Sequence, residues 1–127
     1  MIIQYLHLLL LIQCLLLFSI VRSQEITMNY TNYDYETTNP SQGYLFADKK
    51  STVTFNYKND NIIKVIFNNV TTFYVIVDDG EILTIDNIEY IKYFIKDEDD
   101  NVYKFFIAVE PSNGCILKSK IDLIKFY

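Results

Sequence analysis

Apolar positions along this chain fall into two kinds of block. Residues 1–23, MIIQYLHLLLLIQCLLLFSIVRS, are almost unbroken apolar sequence interrupted by Gln4, His7 and Gln13. From Ser51 onward the apolar residues come instead in short runs separated by Asn, Asp and Gly, the pattern of strands and tight turns. Ser51 to Lys58 alternates strictly, with Val53, Phe55 and Tyr57 on one face and Thr52, Thr54, Asn56 and Lys58 on the other. That is a half-buried strand. Ile62–Phe67 and Phe73–Val77 are nearly continuous rather than alternating, which predicts two central strands buried on both faces. Asn68-Asn69 separates them, and Asp79-Gly80 predicts a hairpin turn after them, because Gly takes positive φ without steric cost. Together with Ile82–Ile85, closed by Asp86-Asn87, the stretch Ile62–Leu83 reads as the meander at the centre of the fold.

Ile88–Ile95 carries two signals. Asp86 and Glu89 resemble a capping box and Ile88, Ile91 and Ile95 recur at helical spacing, yet Ile, Tyr and Phe favour a pleated surface, and strand is the reading preferred. Val102–Val109 is a further strand, the loop 110–114 returns the chain to Cys115–Lys120, and residues 121–127 read as either strand or helix. Strands at intervals of about eight to twelve residues predict an all-β fold, a small antiparallel β-sandwich or barrel of about six to eight strands. The expected organisation is a signal peptide over 1–23, a polar and disordered segment over 24–43, and a single β domain over 44–127.

The leader has the length of a signal-peptide core, and Val21 and Ser23 stand three and one residues before a cut ahead of Gln24. No Lys or Arg precedes the apolar core, and the whole run approaches the roughly 20 residues that span a bilayer. Cleavage is the preferred reading, with retention of residues 1–22 as a membrane anchor the alternative. Its removal changes the chemistry more than the length. His7 is the only histidine and Arg22 the only arginine, and Cys14 leaves with them, so Cys115 is the one thiol that remains. A chain without His and with one Cys builds neither a His/Cys zinc site nor a Ser–His or Cys–His nucleophile. With no Arg it has no bidentate clamp for phosphate or carboxylate. The net charge of −5 opposes a nucleic-acid partner, since that binding rests on phosphate neutralisation. No catalytic residue and no cofactor site is expected.

Four features remain as candidates. The acidic turn Asp97-Glu98-Asp99-Asp100-Asn101 offers weak metal ligands in Asp97, Asp99 and Asp100. Its likeness to an EF-hand loop stops where Val102 stands in place of Gly and Ala108 in place of the bidentate Glu. A solvated hairpin tip is the favoured alternative. Asn29-Tyr30-Thr31 and Asn69-Val70-Thr71 are glycosylation sequons, relevant to a secreted chain. Cys115 is either the half of an intermolecular disulfide or a buried, inert thiol beside Ile116 and Leu117. Tyr30, Tyr33 and Tyr35 stand among acids, as sulfated tyrosines or an acidic contact peptide would, although a solvated tail is the preferred reading. The surplus of apolar residues points to a protein partner or self-association through a Tyr- and Ile-rich sheet face. The expected protein is secreted, non-enzymatic and a binding module, in contact with membrane only if the leader is retained.

The runs VTFNYKNDNIIKVIFNN and IEYIKYFIKDEDDNVYKFFI resemble the FAINT-domain repeats of secreted Theileria proteins over about half the chain. The Trp common in those repeats is absent here. The resemblance implies a secreted parasite-type protein with no known catalysis.

Overall fold

The computed structural model describes residues 2–39 and 48–127, except the side chains of 14–23 and 59. One helix, α1 (Ile2–Ser23), precedes ten strands: β1 (Ile26–Tyr30), β2 (Tyr33–Thr37), β3 (Ser51–Phe55), β4 (Ile62–Phe67), β5 (Val70–Ile76), β6 (Glu81–Ile85), β7 (Ile88–Lys96), β8 (Val102–Ala108), β9 (Cys115–Lys118) and β10 (Asp122–Phe126). The fold is all-β. In place of a sandwich or barrel of six to eight strands, it is a single open antiparallel sheet of ten, in the order β1-β3-β4-β5-β7-β8-β9-β10-β2, with β6 added on β7.

The turns explain why the strands end where they do. Among the described residues eight non-glycine positions have positive φ, and all but Lys58 are Asn or Asp, whose short polar side chains tolerate the left-handed region. Asn68 and Asn69 (φ 52° and 61°) close the β4–β5 hairpin, and Asp86 and Asn87 (φ 50° and 66°) close β6–β7. Positive φ at both central residues is the geometry whose twist matches two-residue hairpins. Asn56 (φ 55°) follows the end of β3 at Phe55, three residues before the expected end, so Tyr57 leaves the strand and its ring rests 5.7 Å from that of Phe73.

The Asp79-Gly80 turn differs from expectation. Gly80 does have positive φ (84°), but β5 and β6 do not pair with each other. Both lie along the same edge of β7: β6 over Ile88–Lys92 and β5 only at Ile95–Lys96. β7 is therefore the strand on which the sheet divides. Its whole length is strand, because its outward and inward residues both find apolar neighbours across β8. Residues 121–127 likewise contain a strand, β10.

The segment expected to be disordered, 24–43, supplies β1 and β2 up to Thr37. The end of that segment and the start of the expected 44–127 domain, residues 40–47, lie outside the described residues. The folded unit begins near Gln24. Its signal is a period of two: Met28 and Tyr30 are buried, and Tyr33 and Tyr35 are half-buried between exposed Asp34 and Glu36. Tyr35 donates to Asp122 Oδ1 at 2.9 Å. These tyrosines serve the fold.

β1 and β2 are the two ends of the sheet, yet only Thr31 and Asn32 separate them in sequence. Both N–H groups donate to the Tyr127 carbonyl (3.2 and 2.9 Å), and Tyr127 N–H returns a bond to Asn32 O at 3.1 Å. The sheet is thus curled until its ends meet at one point. Alternate residues of its strands fill the interior: Met28, Tyr30, Val53, Ile63, Val65, Tyr74, Ile95, Phe105, Ile107, Cys115 and Phe126. Each large apolar side chain withdrawn here stabilises the fold by roughly 1.5–3 kcal/mol relative to exposure. A second cluster, Tyr90, Phe106, Ala108 and Ile116, lies on the outer face of β7–β9 with Leu83, Ile85, Ile88 and Leu123 against it. β4 and β5 sit within the sheet but are not buried on both faces, since only Ile63 and Val65 of β4 and Tyr74 of β5 are buried and Val75 is half exposed.

Candidate functional site

One recess in the β domain lies beside the β4–β5 hairpin. β5 pairs with β4 along Val70–Val75, while its other edge meets β7 only at Val75 and Ile76. From Val70 to Tyr74 that edge has no strand partner among the described residues, and the sheet gapes there. A cleft of about 210 Å³ opens between the β4–β5 hairpin and the facing pair β9–β10. Val65 and Phe67 of β4, Val70, Thr72 and Tyr74 of β5, Leu117 of β9, and Ile124 and Phe126 of β10 line it, with Asn68 at the turn. Phe67 is held edge-on by Tyr33 and Phe126, at centroid separations of 5.2 and 5.1 Å. Val70, 59 % exposed, marks the rim.

The cleft lining contains no Asp, Glu, Lys or His. Its one titratable group is the Tyr74 hydroxyl, pushed up to about 12 by burial, then by the nearby Tyr103 and Asp97, against the opposing effect of a hydrogen bond from Thr72. Tyr74 is therefore neutral at physiological pH. Asn68, Thr72 and that hydroxyl are the hydrogen-bonding side chains; the rest of the wall offers apolar area. This arrangement can bury an apolar group and orient it by a few polar contacts.

The Asp97 turn is built differently from a metal cradle. Asp97 Oδ1 accepts from the N–H groups of Asp99 and Asn101, both at 2.9 Å, and Oδ2 accepts from Asn101 Nδ2 and the Tyr103 hydroxyl, both at 3.1 Å. Desolvation alone would push this carboxyl up; the hydrogen bonds from Asn101, Tyr103 and Asp99 outweigh it and hold the group below the ordinary carboxylate range. The carboxylate is used in closing the turn, and Asp99 and Asp100 project at its exposed tip. Among the described residues no three His, Cys, Asp or Glu side chains converge on a common point.

Cys115 is 0 % exposed. Burial pushes its thiol up to about 12, partly offset by a hydrogen bond with Tyr30. The Tyr30 hydroxyl, itself raised by burial and then by Cys115, donates towards Met28 Sδ and the Pro111 carbonyl, each 3.2 Å away. A disulfide to a second chain would require this core to open, so the folded protein holds Cys115 as the inert alternative. Both sequon asparagines face solvent. Asn69 stands at the β4–β5 turn, and Asn29, on β1, accepts from Thr52 Oγ1 at 3.0 Å.

Of the Tyr and Ile residues expected to supply a contact face, Tyr30, Tyr74, Tyr90, Ile63, Ile95 and Ile107 are buried, whereas Ile26, Ile82, Ile121 and Tyr127 are exposed. The cleft was not among the features that sequence reasoning singled out. Its one visible sign is Thr71-Thr72 inside an otherwise apolar strand, where a doubly buried strand would carry none. Comparison with known proteins finds no match: no family model, no curated protein and no solved structure. The likeness to FAINT repeats accordingly stands on residue types alone.

Proposed function

We propose that the chain is a secreted, N-glycosylated, non-enzymatic binding domain that takes an apolar segment of a partner protein into the cleft between β4–β5 and β9–β10. The cleft itself carries the reading: an apolar wall without an acid, a base or a nucleophile, beside a strand edge that has no strand partner among the described residues. An extended peptide laid along Val70–Tyr74 would pair with that edge and bury alternate side chains in the cleft.

Secretion is supported by the behaviour of α1. Ile2, Ile3, Tyr5, Leu6 and the leucines and isoleucine to Ile12 are all exposed, so this part of the helix adds nothing to the core and its removal costs the β domain no packing there. The same exposure favours the second reading, an anchor retained in a membrane. Among the described residues no helix is long and apolar enough to cross one. Recovery of a mature chain without residues 1–23 would eliminate the anchor.

The binding reading is tested by panning the secreted chain against a displayed peptide library. The expected result is enrichment of peptides sharing a pattern of alternate apolar residues. Thr72→Lys, which places an alkyl stem and a charge in the cleft, should abolish that enrichment while leaving the circular dichroism unchanged. Failure to enrich any shared pattern, or equal enrichment by Thr72→Lys, removes the proposal. Displacement of peptide by the chain itself at rising concentration would replace a foreign partner with a second copy.

A further inference from the structure

We propose that Gln24 of the mature chain is a modification site, where the new N-terminus closes into pyroglutamate. The inference rests on the secretion reading, with cleavage between Ser23 and Gln24. α1 ends at Ser23, and the chain first grips the sheet immediately afterwards. The Gln24 carbonyl accepts from Asn56 Nδ2 at 3.4 Å, and Glu25 Oε2 accepts from the Lys58 N–H at 2.7 Å. Gln24 is exposed, and its side-chain amide bonds to no described residue. Cutting the preceding peptide bond therefore leaves a residue held at its carbonyl end, with its amine and its side-chain amide both in solvent.

The chemistry needs nothing further. The free α-amino nitrogen attacks Cδ of the same side chain and forms a five-membered lactam. The bond from Cδ to Nε2 breaks, and Nε2 leaves as ammonia with the proton that the amine gives up. No electrons are exchanged with any other reactant. The ring removes the terminal positive charge and, lacking a primary amine, denies aminopeptidases a starting point. That protection falls on β1, an end strand of the sheet that contributes Met28 and Tyr30 to the interior. Trimming from this end would expose the core along one side.

The test is secretion of the full chain from eukaryotic cells, followed by amine labelling, removal of N-glycans and measurement of the N-terminal fragment ions, before Asn29, of the first tryptic peptide. The wild type should begin at residue 24, lack one ammonia relative to its sequence mass and take up no label at its α-nitrogen. Gln24→Ala should begin at the same residue with a labelled α-amine. A wild-type peptide that begins at residue 24 with full mass and a labelled amine overturns the ring and leaves the cleavage standing. A chain that keeps any of residues 1–23 overturns both.

Discussion

Gly114 shows how much a single position can carry in a chain with three glycines. Its φ is +96°, and a Cβ added there would overlap the carbonyl oxygen of Phe126, on the neighbouring strand β10. Substitution thus meets two penalties, a strained backbone and a clash with main chain that cannot rotate away. Gly114→Ala is expected to destabilise the protein by more than about 3 kcal/mol, read as a fall in the urea midpoint with the slope unchanged. A shift under a third of that would show that β9 and β10 separate easily. At this scale much of the protein was legible in advance: Asn68-Asn69, Asp86-Asn87 and Gly80 were all read as turns, because αL tolerance is a property of the residue. What the residue does not reveal is its neighbour. Nothing about Cys115 in sequence says that Tyr30, eighty-five positions away, hydrogen-bonds it in a closed core, since that contact exists only once the sheet has curled.

At the scale of elements, the β7–β8 turn separates what a motif suggests from what geometry provides. The spacing of Asp97, Asp99 and Asn101 serves a calcium loop and a backbone-capped turn equally well, because both begin with a carboxylate facing successive groups of a tight bend. Here Asp97 faces the N–H groups of its own turn. The titration follows with a definite sign. The folded carboxyl is held below its ordinary value of 3.8, so its contribution is fully present above that pH and is lost as the pH falls through the lower folded value. Amide resonances of Asp99 and Asn101 should titrate together with a midpoint below 3.8, and Asp97→Asn should abolish the transition. A midpoint at or above the ordinary value would mean that the turn does not hold the carboxylate. Strand positions were legible for the same local reason as the turns from β3 to β9, whereas 121–127, which holds β10, read equally as strand or helix. β1 and β2 were not, because five-residue strands with two inward side chains each leave a composition indistinguishable from a polar tail.

The whole molecule is where sequence reading stops and pairing takes over. Hairpins are local, and those at Asn68-Asn69 and Asp86-Asn87 follow from their turn residues. The division of β7 between β5 and β6, and the placing of β1 and β2 at opposite ends of one sheet, depend on contacts remote in sequence. Spacing alone cannot distinguish such a curled sheet from a sandwich. The curl has a measurable consequence, since it brings Tyr30, Tyr74 and Cys115 into one interior. Burial is the first cause of a raised value in all three, and Cys115 and Tyr74 each reach about 12 from ordinary values of 9.0 and 10.0. In the unfolded chain these groups ionise at their ordinary values, whereas the folded core admits them only as neutral species. Their contribution is therefore complete below the ordinary thiol value of 9.0 and is lost as pH rises towards about 12. Thermal unfolding followed by circular dichroism should show Tm constant from about pH 7 to about pH 9 and falling steeply above it. Cys115→Ala removes the group with the lowest ordinary value, so the onset of the fall should move towards the tyrosine range. A Tm independent of pH up to about 11 would mean that these side chains do not share a closed interior, and with it the curled sheet would fail.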